Sequence, residues 1–181
     1  MSEEGRFLYF AYGSNMLPAR LIARCPSARP LGPTRLAHHA LAFTKPGRDG
    51  SAKATITPRP GAHVPGALFL LANQDAESLD RAEGLGKGYD RVTVTLPDPL
   101  SAALREAQTY IATAPREGLI AFDWYLALVI AGRRHFALPT DDLSEIPWQR
   151  DPLPERPARR EGIRALEAAG LHRWEALLPP G

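Results

Sequence analysis

The pattern of apolar and polar positions changes period several times along the chain. Arg6 to Tyr12 (RFLYFAY) is a run of aromatic and apolar residues, which predicts a buried first strand. Gly13-Ser14-Asn15 breaks it, and a short helix is predicted from about Met16 to Arg24, with Asn15 or a neighbour as N-cap and Pro18 in its first turn. Thr34 to Thr44 reads as a second strand, and the polar, glycine-bearing segment Lys45 to Lys53 as a mobile loop. Ala54 to Thr57 is expected to be a short strand, Pro58 to Gly61 a turn, and Val64 to Leu71 a further strand with Gly66 at a close backbone approach.

Asn73 to Glu83 carries a helical signature. Asn73 suits the N-cap, Ala76, Leu79 and Ala82 fall on one face, and Gly84 supplies the stop. Arg91 to Leu96 alternates with period two, and Glu106 to Thr113 is the last clear strand. Leu119 to Ala131 reads as a buried helix capped by Gly132. Beyond Pro139 the composition shifts to Pro, Arg and Asp/Glu, with Pro147 to Pro157 irregular and Ala158 to Leu178 a terminal amphipathic helix. About six short strands with three or four helices predict an α+β fold. Its small mixed sheet must curl into a barrel-like form or be covered to hide its edges. Two regions are expected, 1–140 and a Pro/Arg-rich extension, 141–181, packed on the same domain.

Composition narrows the class without naming a function. The chain has 181 residues, enough for one domain with a real core, and a formal net charge of +2 that demands no nucleic-acid partner. Cys25 is the only cysteine, so no internal disulfide or cysteine cluster can form, which suits a reducing, cytoplasmic compartment. The opening Met1-Ser2-Glu3-Glu4-Gly5-Arg6 is wrong for a secretory leader. The most apolar segment, Leu119 to Gly132, contains Asp123 and falls short of the ~20 residues a membrane span needs. A soluble protein is expected. Many of the 18 prolines are expected to fall between elements, among them Pro30, Pro33, Pro46, Pro58 and Pro60.

Two constellations could carry chemistry. Tyr12-Gly13-Ser14-Asn15 lies where a strand turns into a helix, whose first N–H groups are unpaired and favour anions. A tight turn with an Asn cap accounts for the same four residues. Glu83 closes a predicted helix, where the helix dipole disfavours a carboxylate; a raised pKa there would suit proton transfer near neutrality. A solvated surface glutamate is the plainer alternative. Gly84-Leu85-Gly86-Lys87-Gly88 follows a helix rather than opening one, so it reads as a flexible turn and not a phosphate loop. His38, His39, His63, His135 and His172 show no metal-ligand spacing, and Cys25 has no activating histidine nearby. The arginines of the tail (Arg150, Arg156, Arg159, Arg160, Arg164) alternate with acids, as on a solvated helix face.

Taken in order, these pieces resemble the γ-glutamylcyclotransferase family, the AIG2-like superfamily. The resemblance rests on Phe10-Ala11-Tyr12-Gly13-Ser14-Asn15-Met16; on Ala54-Thr55-Ile56, Pro60-Gly61 and Val64-Pro65-Gly66-Ala67-Leu68-Phe69; on Leu79-Asp80-Arg81-Ala82-Glu83-Gly84 with Tyr89-Asp90-Arg91-Val92; and on Tyr125, Gly132 and Leu138-Pro139. It covers roughly residues 7–139. It implies that 1–140 is a catalytic domain turning a γ-glutamyl amino acid or amine, as in glutathione metabolism, into 5-oxoproline plus free amine. Glu83 would then be the catalytic acid/base, with Tyr12, Gly13, Ser14, Asn15, Tyr89 and Tyr125 binding substrate. No metal or coenzyme, nucleic acid or membrane is expected to take part, and the chain is expected to be a monomer or homodimer. The alternatives are another γ-glutamyl substrate, such as an isopeptide or natural-product amine, or a non-catalytic module that binds γ-glutamyl groups or anions.

Overall fold

Two long strands, β2 (Arg29–Pro46) and β3 (Ala52–Ala72), form the largest feature of the computed structural model, which describes residues 5–180. The acidic opening, residues 1–4, and the last residue of the extension lie outside the described residues. Three further strands, β1 (Arg6–Ala11), β4 (Tyr89–Pro97) and β5 (Leu104–Ala112), complete a five-stranded sheet in the order β2-β3-β1-β5-β4. β1 is antiparallel to β3 and parallel to β5, so the sheet is mixed. A second sheet pairs β6 (Ala121–Phe122) with β7 (Trp148–Gln149). The helices are α1 (Pro18–Arg24), α2 (Ala76–Glu83), α3 (Asp123–His135) and α4 (Pro157–Ala168). The α+β class holds, but the main sheet does not close into a barrel, since no ladder joins its two edge strands. Its edges β2 and β4 meet through the Thr34 hydroxyl, which donates to the Pro97 carbonyl at 2.6 Å, without a ladder between them.

Proline punctuates the sequence less than its frequency suggests. Pro30, Pro33 and Pro46 lie within β2, an edge strand, where a missing N–H leaves no ladder partner unsatisfied. Pro58 and Pro60 lie in the part of β3 that precedes its pairing with β1, which runs from Ala67 to Ala72. Ala54–Thr57 and Val64–Leu71 are therefore one continuous strand, with register shifts and a left-handed Gly61 (φ 81°) where the turn was expected. Likewise 45–53 is no mobile loop. Lys45 pairs with Lys53 and Pro46 with Ala52 across a tight turn closed by the Gly47 N–H to the Ser51 carbonyl at 2.8 Å.

α3 is buried through Asp123–Arg133, and it starts later than its apolar run because Ala121–Phe122 is drawn into the small sheet. Gly132 does not cap it. Gly132 sits inside the helix, where a Cβ would lie 2.9 Å from the Leu17 amide nitrogen, so its role is to let α3 touch the chain just after Asn15. Arg133, fully buried, donates to the Pro139 carbonyl at 2.7 Å and pairs with Asp142 at 3.1 Å, which satisfies its charge. The terminal helix ends at Ala168 rather than Leu178, with a separate turn at Trp174–Leu177. Gly162 of α4 packs on the Trp124 ring. No helix among the described residues is long and apolar enough to cross a membrane.

Candidate active site

The opening strand β1 ends at Ala11, and the chain then turns through Tyr12 and Gly13 into a single 3-10 turn, Ser14–Met16. Asn15 is neither exposed nor a cap. Leu17 is the N-cap of α1, without a side-chain bond, and Asn15 is buried. Its amide points inward instead. Asn15 Nδ2 donates to Glu83 Oε1 at 2.5 Å and to the Tyr9 hydroxyl at 3.3 Å, while Asn15 Oδ1 accepts from Arg24 Nη1 at 3.0 Å. The cationic donor on one side and the carboxylate on the other fix which end of the amide faces Glu83.

Glu83 reaches this point because α2 stops there. A 3-10 turn, Asn73–Asp75, precedes α2, so Asn73 is not its N-cap. Leu79 is buried and Ala82 is exposed, so the helix docks by a narrower face than its spacing suggests. Gly84 takes the left-handed conformation (φ 71°, ψ 49°) and ends the helix just beyond Glu83. The Glu83 side chain is only 16% exposed, and Arg24 stands 3.9 Å from its Oε1. Burial pushes its pKa above the ordinary glutamate range, against the opposing pull of Arg24, Arg20, Lys45 and the Asn15 hydrogen bond. Glu83 Oε2 accepts no hydrogen bond among the described residues, so one oxygen remains free to take a proton.

Tyr9, Tyr12, Gly13, Ser14, Asn15, Ala54, Tyr89, Tyr110 and Tyr125 surround Glu83. Every residue singled out from the sequence as a site residue is thus in one place, on elements far apart in the chain. Their hydroxyls are not equivalent. Tyr12 donates to the Tyr110 carbonyl and Tyr89 to the Ala54 carbonyl, each at 2.5 Å, so both protons are committed to backbone. Tyr125 instead accepts from the Ala54 N–H at 2.9 Å and keeps its own proton. Burial raises all three phenols, Tyr125 to about 12, so they act as neutral rings and donors. Gly13 is tight because of the protein itself, since a Cβ would lie 3.3 Å from Ala54 Cβ and 3.6 Å from the Tyr125 oxygen.

A larger cavity of about 650 Å³ opens from this cluster, sharing Ser14, Glu83, Tyr89 and Tyr125 with it. Its walls hold residues that sequence reasoning missed: Arg20, Arg24, Lys45, Lys53 and Arg156. Arg156 had seemed part of a solvated face, yet it pairs with buried Asp151 at 2.9 Å and stacks on Phe122 at 5.3 Å. Arg20 at i and Arg24 at i+4 share one face of α1, the one signal that could have brought them forward. Gly84 to Gly88 is an ordered turn, held by the Leu85 N–H to the Asp80 carbonyl and the Gly86 N–H to the Tyr89 carbonyl, each at 2.9 Å. Buried Cys25 has its thiol pushed up to about 11 by desolvation. Among the described residues no cluster of His, Cys, Asp or Glu could hold a metal ion.

The model of the AIG2-like gamma-glutamyl cyclotransferase family matches residues 9–126, a stretch that includes both halves of the Asn15–Glu83 contact. The chain belongs to this family. It is 38% identical over 102 residues to a gamma-glutamylcyclotransferase of Bos taurus, covering 52% of this chain and 54% of that one. To the corresponding protein of Homo sapiens it is 37% identical over 91 residues, or 48% of each. The matched segment therefore spans about half the length of these relatives. A solved structure described as gamma-glutamyl cyclotransferase shares the fold at a TM-score of 0.76 and 24% identity, covering 90% of this chain and 99% of its own.

One consequence concerns Asn15 alone. Asn15→Ala removes the donor to Glu83 and the acceptor for Arg24, and it supplies no N-cap to lose. Helix α1 is therefore expected to persist by circular dichroism, with a stability loss of about 1–3 kcal/mol from the two hydrogen bonds to charged groups that the amide made. Full thermal stability in this variant would show that the two hydrogen bonds contribute nothing net.

Proposed function

We propose that this chain is a γ-glutamylcyclotransferase, converting an L-γ-glutamyl amino acid or amine to 5-oxoproline with release of the free amine. The observation that carries the reading is the Asn15–Glu83 contact, which sets a buried, proton-accepting carboxylate against the first turn after β1. The reaction balances with no further reactant. The α-ammonium gives up a proton, the resulting amine attacks its own γ-carbonyl carbon, the ring C–N bond forms, the exocyclic C–N bond breaks, and two protons in all pass from the α-nitrogen to the departing nitrogen, which leaves as an ammonium.

Glu83 is the group that takes the first of these protons. Its raised pKa narrows the gap to the substrate ammonium, so it accepts the α-ammonium proton and returns it to the leaving amine. Asn15 holds the carboxylate in place while its second oxygen works. A 3-10 turn leaves its first N–H groups without acceptors of its own, so the Gly13–Asn15 backbone suits a substrate carboxylate or the developing oxyanion. The Tyr12 and Tyr89 rings close the pocket, and Tyr125 adds a hydroxyl donor. Folding the glutamyl chain against these walls favours the ring-closing conformer, and effective molarities in such reactions reach about 10⁵–10⁸ M.

The test is release of 5-oxoproline from a panel of γ-glutamyl compounds by the purified chain. Absence of product from all of them would sink the proposal. The pH profile adds a signature. Because the base must be ionised and its pKa is raised, the acid limb of kcat/KM is expected to fall at a pH above the ordinary glutamate range. An acid limb at the ordinary value would place the working carboxylate in water rather than beside Asn15.

A further inference from the structure

The outer cavity is far more cationic than proton transfer requires. Eight lysine and arginine side chains line it against three carboxylates. Two of the carboxylates are already engaged: Asp49 with Lys53 at 2.9 Å, and Glu161 with Arg24 Nε at 3.1 Å. The third is Glu83. Lys45, Arg48, Arg81 and Lys87 form no ion pair among the described residues. Lys45 instead lies over the Tyr89 ring at 4.8 Å, on the wall shared with the inner cluster.

Arg20 is the sharper observation. It is only 5% exposed, its Nε donates to Ser14 Oγ at 3.2 Å, and its Nη1 has no hydrogen-bond partner. The nearest acid, Glu161 Oε1, stands 3.9 Å away, beyond hydrogen-bond reach. A buried guanidinium nitrogen with nothing to donate to is costly, and a group of unneutralised cations around it adds repulsion. Burial and the neighbouring Arg24 lower the Arg20 pKa to about 10; Lys53, buried and facing Arg20 and Lys45, is lowered to about 8. An anion is what this wall lacks.

Resting on the cyclotransferase reading, we infer that the cavity is a subsite for an anionic leaving group, in which the Arg20 guanidinium and Lys45 hold the carboxylates of a departing acidic amino acid. A γ-glutamyl bond to glutamate or aspartate brings two carboxylates beyond the scissile amide. A bond to alanine brings one, and a bond to the α-amine of lysine adds a cation instead. The two connected cavities match this division: with the glutamyl group against Glu83 and the Ser14 turn, a departing residue would extend past Tyr89 and Tyr125 into the cationic space.

The experiment compares 5-oxoproline release from γ-Glu-Glu, γ-Glu-Ala and α-linked γ-Glu-Lys, together with their calorimetric affinities for a Glu83→Gln protein that binds without turnover. The expected order of kcat/KM is γ-Glu-Glu above γ-Glu-Ala by about ten-fold or more, with γ-Glu-Lys lowest, and the gaps narrow as salt is raised. Lys45→Glu is expected to invert the order of γ-Glu-Glu and γ-Glu-Lys, with folding checked by circular dichroism. Equal rates and equal affinities across the three overturn the anionic subsite and leave the cyclotransferase reading standing. Tighter binding of γ-Glu-Glu with no product from any compound keeps the subsite and overturns the cyclotransferase reading.

Discussion

Glu83→Gln is expected to lower kcat/KM for 5-oxoproline release by at least about 10², while the protein gains thermal stability at neutral pH. The substitution keeps the side-chain shape and an oxygen for Asn15 Nδ2, so the pocket has no steric reason to change. It removes the carboxylate to which the proposed mechanism assigns the proton of the substrate ammonium. The gain in stability follows from the direction of the pKa shift. Burial raises the folded-state value of Glu83, so between the ordinary and the raised value the folded chain binds more protons than the unfolded one. The stability that comes with the protonated form is complete below the ordinary carboxylate pKa and is lost as pH rises through the raised one. A glutamine does not carry that loss. The Tm of the variant should therefore exceed that of the wild type at pH 7, and the gap should close as pH falls below the ordinary glutamate range. Thermal melts across pH, alongside single-turnover product assays, read both effects. Retained turnover would take Glu83 out of the chemistry, and a variant less stable at pH 7 would mean that Arg20, Arg24 and Lys45 need its charge more than burial opposes it.

The order of elements was legible in the sequence because period and turn chemistry agreed at most places. Arg91 to Leu96 alternates and lies inside β4; Gly84 follows the last helical residue and adopts the left-handed conformation. The readings that failed share a cause. Prolines were treated as stops, but Pro58 and Pro60 lie where β3 has no second neighbour, and an edge context cannot be seen from local sequence. Gly132 resembled a cap by position, whereas its reason for being glycine is the Leu17 backbone, more than a hundred residues earlier. Asn15 resembled an N-cap for the same reason, and only the fold reveals that its partner is Glu83.

The candidate site divides along the same line. Residues embedded in short motifs, such as Tyr12 to Asn15 and Glu83, could be picked out in order. Lys45 and Lys53 could not, because each looks like an ordinary surface cation until the surrounding elements fold around it. Lys53 shows this best: its ammonium lies 4.6 Å from the Tyr125 ring and 4.7 Å from the Trp124 ring, residues on a helix that only tertiary packing brings near. Family membership and the inner pocket are thus readable from local pattern. The outer wall, to which the proposed leaving-group subsite is assigned, is written in long-range contacts.

Gly66→Ala is expected to destabilise the chain by about 1–3 kcal/mol, a Tm loss of roughly 2–12 °C for a protein of this size. An added Cβ would stand 2.5 Å from Phe10 Cε2 and 2.6 Å from the Ala11 carbonyl oxygen. The first of these could yield by moving a ring, but Phe10 is fully buried in the core. The second belongs to backbone held in register, Ala11 opposite Ala67 and Phe10 opposite Leu68, so relief must come from β1 and β3 moving apart. β1 leads directly into the turn that carries Asn15, and a small displacement there lengthens the contact with Glu83. Activity should therefore fall by about ten-fold at temperatures where the variant is still fully folded, since misplacement of about 1 Å in a positioned site is enough to cost that much. Urea unfolding measures the first effect and 5-oxoproline release at 25 °C the second. An unchanged midpoint would mean that the strands separate freely at Gly66, and then the position of Asn15 could not depend on how closely β1 and β3 are packed.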